Sequence, residues 1–382
     1  MTNIKVKYQI TNLFIVCVFI FSYVLLNVPG PGKWMSDSAF QYYDIFYKAL
    51  LYCSIIIFIS VNFFYDIRNV PLSLLFFITI TTPITLVFNI YFLPYILVFS
   101  AAFLLVRNIK VGYYNVSYVK IMIVVSLIFS CAQAIYFRSE DGRPALSFID
   151  PNFSAFYVFM LFAISSILRL RLLNFFCFML GMFMLSRAFL LAVIVFWILG
   201  HVNFIFNTAR RLKLSHPFIM AILSLFLVFA AGSALRTFGG NDVSDYDSGI
   251  SRFSTVNDGS NRLRFQLNEQ FLSALSESSD LKLRGVSREF YTSTYAPLIP
   301  HNGFFEFVRI NGLLLTIIFI SFVFLSMINS NAKCTFPFVT SYIIYLCFLP
   351  VIPAGLSLLL VSLIYAVILN KNGAQSVSNN CS

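Results

Sequence analysis

Histidine is scarce in this chain of 382 residues, which has three. One of them, His301, stands beside Asn302 where a long polar stretch gives way to the apolar run in "HNGFFEFVRINGLL" (301–314). A neutral imidazole near pH 7 can take a proton from an attacking hydroxyl. Arg187, in "LSRAFLL", ends a short apolar run. A guanidinium there either snorkels to a membrane boundary or finds a partner or a wet cavity. Arg262, Arg264 and Arg288 add three more guanidinium groups in the polar stretch that leads to His301. Arginine holds phosphate oxygens through paired bonds of fixed geometry. Asp150 and Asn152 flank a proline in "FIDPNFSAF". They can serve a site, or they can simply start a helix, with the acid as its cap and the proline in the first helical position.

The apolar run after His301 adds a helix N-terminus, whose free N–H groups and positive dipole end attract anions. Glu306 and Arg309 share a helical face with Asn302, at spacings of four and three. They either pair with each other or face the same site. Arginines, a helix N-terminus and one histidine between apolar walls suit a lipid-linked diphosphate. The guanidinium groups would neutralise the charge that develops on that leaving group. The acidic "DYD" at Asp245–Asp247 resembles a metal-binding pair, but it sits among Gly, Ser and Asn in a segment with no packing anchor. Acids there are ordinary solvated loop, and neither a metal nor a cofactor is expected.

The elements that must carry these residues are membrane helices. Hydrophobic residues make up 59% of the chain and charged residues 11%, against about 25% charged in soluble domains. Apolar runs long enough to cross a hydrocarbon core recur from end to end. Runs that are apolar throughout exclude β-barrel strands, which alternate. Spans are predicted near 10–28, 45–64, 70–86, 88–106, 118–137, 153–168, 173–185, 188–206, 217–235, 303–327, 336–350 and 354–369. The expectation is an all-α polytopic membrane protein of about 12 transmembrane helices. The first run is a full span followed by Pro-Gly, so no cleavable leader is expected.

The net charge of +11 is an orientation signal and does not point to nucleic acid. Lys5, Lys7, Arg68, Arg107, Lys110, Lys120, Arg169, Arg171, Arg210, Arg211, Lys213, Lys333 and Lys371 fall on one side, which holds Asp66 as its only acid. That side is the cytoplasm, and it holds both termini. The organisation expected is spans one to nine over 1–235, a large exported loop over 236–302, spans ten to twelve over 303–370 and a tail over 371–382. In the loop, Leu263, Leu267, Phe271 and Leu275 recur at helical spacing after Ser260 or Asn261 as cap, which predicts an amphipathic helix. Seven cysteines show no CxxC or Cys/His spacing, so neither a disulfide framework nor a zinc site is supported.

Four short stretches, in order, resemble the O-antigen polymerase and O-antigen ligase family of bacterial integral membrane glycosyltransferases. They are "DPN" (150–152), "SR" (186–187), "GSNR" (259–262) followed by "LRG" (283–285), and "HNGFFEFVRINGLL". The resemblance covers roughly the C-terminal 60% of the chain; the first five spans resemble the family only in hydropathy. It implies a metal-independent transferase acting on undecaprenyl-diphosphate-linked oligosaccharides at the periplasmic face of the inner membrane, with a chain-length regulator as a further partner. It also implies that Arg187 and Arg262 hold the diphosphate and that His301 is essential. Polymerase and ligase differ in the acceptor, a second lipid-linked repeat unit or a lipid A core sugar. The chain is rich in Phe, Ile and Asn with idiosyncratic loops, which favours polymerase. A flippase or other transporter would instead have short loops on both faces and charges at mid-membrane.

Overall fold

The computed structural model describes residues 2–27, 37–66, 70, 72–110, 115–137, 139, 142–146, 151–201, 259–300, 302–328, 332–349 and 363–364. Among these residues every regular element is helical, and fourteen α-helices follow one another. They are α1 (Thr2–Asn27), α2 (Asp37–Asp66), α3 (Leu72–Phe88), α4 (Leu93–Lys110), α5 (Val116–Tyr136), α6 (Pro151–Ile167), α7 (Arg171–Phe183) and α8 (Arg187–His201), then α9 (Gly259–Glu277), α10 (Ser279–Leu283), α11 (Arg288–Thr294), α12 (Gly303–Asn311), α13 (Leu313–Ile328) and α14 (Ala332–Phe348). A 3₁₀ turn, Ile90–Phe92, joins α3 to α4. Two stretches, Ile90–Ile109 and Val116–Tyr136, are long and apolar enough to cross a membrane. The spans expected at 217–235 and, except for two residues, at 354–369 lie outside the described residues, as does 236–258 with Asp245–Asp247.

The chain divides into two compact units. The first gathers Met1–Thr79, Pro94–Ser186 and Gly355–Ser382. Within it α1 packs on α2 and α5, and α6 on α5 and α7. Helix α6 is its centre: every residue from 154 to 165 is buried, as expected of a helix that is apolar on all sides. Phe14 stacks on Phe58 at 4.0 Å, and beside them lies a buried amide cluster. Asn108 Nδ2 donates to Thr11 Oγ1 (3.0 Å) and to Asn62 Oδ1 (3.1 Å), while the Asn115 N–H donates to Asn12 Oδ1 (3.1 Å). Side-chain amides bonded between otherwise apolar helices are the usual polar glue where no hydrophobic force separates helix from lipid.

The second unit gathers Ile80–Leu93 and Arg187–Ala354. Here α8 packs along α14, and α12 packs on α10, α13 and α14. Span ten was expected as one helix over 303–327. The structure breaks it at Gly312, whose φ of 80° lies in the left-handed region. Helix α12, with nine residues, is therefore too short to span, at about 1.5 Å per residue. Its first turn is pressed so close to the end of α14 that a Cβ on Gly303 would lie 2.7 Å from the Leu349 carbonyl oxygen.

Candidate functional site

In the first unit, Pro151 opens α6, as its fixed φ predicts. Asn152 follows, and Ser186 Oγ donates to Asn152 Oδ1 at 3.3 Å, so the "DPN" and "SR" stretches meet. Asp150 lies outside the described residues. The turn before Ser186 is strained: Leu185 has a φ of 52°, a conformation uncommon for a residue with a side chain. Its carbonyl oxygen accepts from Arg143 Nη1 at 3.5 Å. Arg143 belongs to a folded turn in which the Ser139 N–H donates to the Arg143 carbonyl oxygen (2.9 Å) and the Leu146 N–H to Ser154 Oγ (2.9 Å). Sequence reasoning passed over Arg143, although it is a cation in the connection just before "DPN".

The remaining site residues belong to the second unit. Arg187 is the first residue of α8 and is half-buried. Arg262 falls in the first turn of α9, and Arg264, half-buried, follows it. Helix α9 starts at Gly259, so Ser260 and Asn261, expected just ahead of it, lie within its first turn. The buried stripe is also shifted from the expected one. Leu267, Phe271 and Ala274 are buried and Leu275 is half-buried, but Leu263 is exposed. The stripe is read against α11 and α12: Phe271 stacks on Phe305 (5.0 Å, 21°), and Phe271, Ala274, Leu281, Tyr291, Ala296 and Val308 form one core. Leu263 lies about two turns before Phe271, where that core begins.

Three short helices are started by side-chain caps, which is why such brief elements form at all. Ser278 Oγ accepts from the Leu281 N–H (3.2 Å) and Ser287 Oγ from the Phe290 N–H (3.1 Å). Asn302 Oδ1 accepts from the Phe304 (2.9 Å) and Phe305 (3.3 Å) N–H groups. Asn302, expected to touch substrate, thus has its oxygen engaged by the cap, and its Nδ2 is the part left for other partners. Arg288 is exposed in the first turn of α11. His301 lies outside the described residues.

The "LRG" and "RING" stretches close on each other. Arg309 Nε and Nη2 donate to the two oxygens of Glu306 (2.6 and 2.8 Å), and Arg309 Nη1 donates to the Val286 carbonyl oxygen (2.7 Å). The Val286 N–H returns a bond to the Arg309 carbonyl oxygen (2.6 Å). Both charged side chains are buried, at 5% exposure each. Of the two roles open to Glu306 and Arg309, they take mutual pairing. The carbonyls of the last turn of α12, which a helix cannot satisfy internally, are taken up in turn. Asn311 Nδ2 donates to the Phe307 carbonyl, the Gly312 N–H to that of Val308, Val286 to that of Arg309, and Asn89 Nδ2 to that of Ile310. Backbone contact is so close that a Cβ on Gly285 (φ 76°) would overlap the Ile310 carbonyl, and one on Gly312 would sit 2.7 Å from the Leu283 carbonyl carbon.

Tyr291 is fully buried beneath this lock, and its hydroxyl has no hydrogen-bond partner among the described residues. Burial, with Glu306 beside it, pushes its phenol up to about 12, while Arg309 pulls the other way. The phenol is therefore held in its neutral form. Gly285→Ala is expected to open the lock. An alanine there adds left-handed strain of about 1–2 kcal/mol to the displacement of Ile310. Trypsin should then cut at the exposed Arg284 and Arg288 faster than in the parent protein, and an unchanged cleavage rate would mean the contact is not tight in solution.

Among the described residues the regular elements are all helical, two stretches are able to cross a membrane, and one long helix and three short capped ones pack together over 259–311. No protein-family model matches the chain, and no curated protein and no solved structure matches it either.

Proposed function

We propose that this chain is an integral inner-membrane glycosyltransferase that polymerises surface polysaccharide from undecaprenyl-diphosphate-linked repeat units at the periplasmic face. The observation that carries this reading is the stack of Phe271 on Phe305. It joins α9, which bears Arg262 and Arg264, to the capped first turn of α12, next in the chain after His301. A connection in a transporter has little use for such a built layer. The membrane assignment is supported by apolar side chains facing outward on helices whose other face is packed. Examples are Ile121, Val125, Ile128 and Phe129 on α5, and Leu172, Phe175, Phe176 and Met179 on α7. Exposed apolar area on that scale marks a lipid or partner surface.

In the proposed reaction, Arg187 and Arg262 hold the donor's diphosphate. A hydroxyl of the acceptor repeat unit attacks the donor's anomeric carbon, and the bond from that carbon to the diphosphate oxygen breaks. The hydroxyl proton passes to His301, and undecaprenyl diphosphate leaves with the bonding electron pair. Arg264, Arg288 and Asn302 supply further contacts to the sugars and phosphates. The arginines disperse the leaving-group charge through fixed donor pairs.

The test is extension of lipid-diphosphate-linked repeat units by the purified protein in a chelator. Polymer should form. Arg187→Lys and Arg262→Lys should each lose most of it although charge is kept, because an ammonium cannot offer paired planar donors. Normal polymer from both lysine variants would reduce these arginines to anchors.

A further inference from the structure

We infer that Asn89 is a positioning residue for this site, an inference that rests on the polymerase reading for the identity of what is positioned. Asn89 sits between two apolar runs in the half of the chain that gave no chemical signal. Yet residues 80–93 belong to the same compact unit as 187–354. Its Nδ2 donates to the carbonyl oxygens of Arg284 and Ile310, both at 2.6 Å, across 195 and 221 residues of sequence. Its Oδ1 accepts from the Tyr91 N–H at 3.0 Å, which caps the 3₁₀ turn. Asn89 is 8% exposed, so its amide is largely withdrawn from water, and removing it leaves both carbonyls short of a donor.

The other end of the same turn is an apolar plug: Phe92 lies 6.1 Å from Phe307 and 5.9 Å from Phe319, and Phe307 lies 5.4 Å from Phe319. One turn therefore grips α12 and α13 through rings and grips the two lock segments through an amide. The segments it joins are the one that leads through Ser287 into Arg288 and the one that ends α12. Arg309, bonded to Val286 and Glu306, ties the same two segments from within α12, whereas Asn89 holds them from outside. Asn89 thus sets where the layer of 259–311 stands on the helices beneath it, without itself touching substrate.

The test uses the full chain with Asn89→Ala and Asn89→Asp. The aspartate keeps the size and the acceptor for Tyr91 but loses both donors, so it separates the clasp from the cap. Amide exchange at Val286 and over 309–312, membrane abundance and polymer yield are measured together. Asn89→Asp should reach the membrane at the parent level, exchange at least about tenfold faster at Val286, and lose at least about tenfold in polymer. Unchanged exchange at Val286 would overturn the clasp. Faster exchange with normal polymer, or disappearance of both variants from the membrane, would overturn the positioning role. A failed polymerase reading would show as a parent protein that makes no polymer, and the exchange result would then decide the clasp alone.

Discussion

Arg309→Ala is expected to cost about 3–5 kcal/mol of local stability, the usual result of removing one partner from a buried ion pair and leaving the other charge uncompensated. Here the loss is compounded, because Arg309 also donates to the Val286 carbonyl oxygen at 2.7 Å. Glu306 would remain buried without the guanidinium that its two oxygens accept from. Unfolding of 259–311 should then precede that of the apolar helices, read as early exchange of the α9 to α12 amides with the α4 and α5 amides still protected. Replacing both partners, as Glu306→Gln with Arg309→Met, should recover part of the loss, since no lone buried charge remains. If the single alanine variant kept full protection over 259–311, the ion pair would not be holding this layer together.

The second large effect is catalytic. His301→Ala should remove at least about 100-fold of the polymerisation rate, the lower end of what a positioned proton acceptor supplies. The protein should still insert and still bind lipid-linked donor, since in the proposed reaction it is Arg187 and Arg262 that hold the diphosphate. His301→Gln distinguishes proton transfer from hydrogen bonding alone: glutamine can orient a hydroxyl but cannot accept its proton near neutral pH. A slow glutamine variant is the expected result. Near-parent rates with glutamine would make His301 an orienting group, and low membrane abundance for both variants would make it a packing residue.

Much of the helical order was legible because apolar runs and their breaks are strong signals. Helices α3 to α8 fall within a few residues of the spans read from hydropathy alone. The break inside 303–327 was not, since an apolar run says nothing of backbone direction. Its cause is Gly312, turned to a φ of 80° so that its backbone can lie against Leu283 and Arg284. The amphipathic character of α9 was readable from its spacing, but its register was not. Which residues are buried depends on Phe305 and Tyr291, partners 34 and 20 residues beyond Phe271. Asn89 was invisible for the same reason: a single amide between apolar runs reads as a turn, and its bonds to the Arg284 and Ile310 carbonyls are tertiary. The pairing of Glu306 with Arg309 was readable as one of two options from a spacing of three. The choice between them needed Val286. The meeting of Asn152 with Ser186 joins two stretches that the family resemblance had only placed in order.

The central claim, that the chain joins lipid-linked repeat units, is tested most directly by sugar analysis of the glycolipid from cells deleted for this gene. The account predicts lipid A core capped with a single repeat unit, restored to long polymer by the parent gene and not by the His301→Ala variant. Uncapped core would assign the chain to ligation, and polymer of unchanged length would contradict the account altogether.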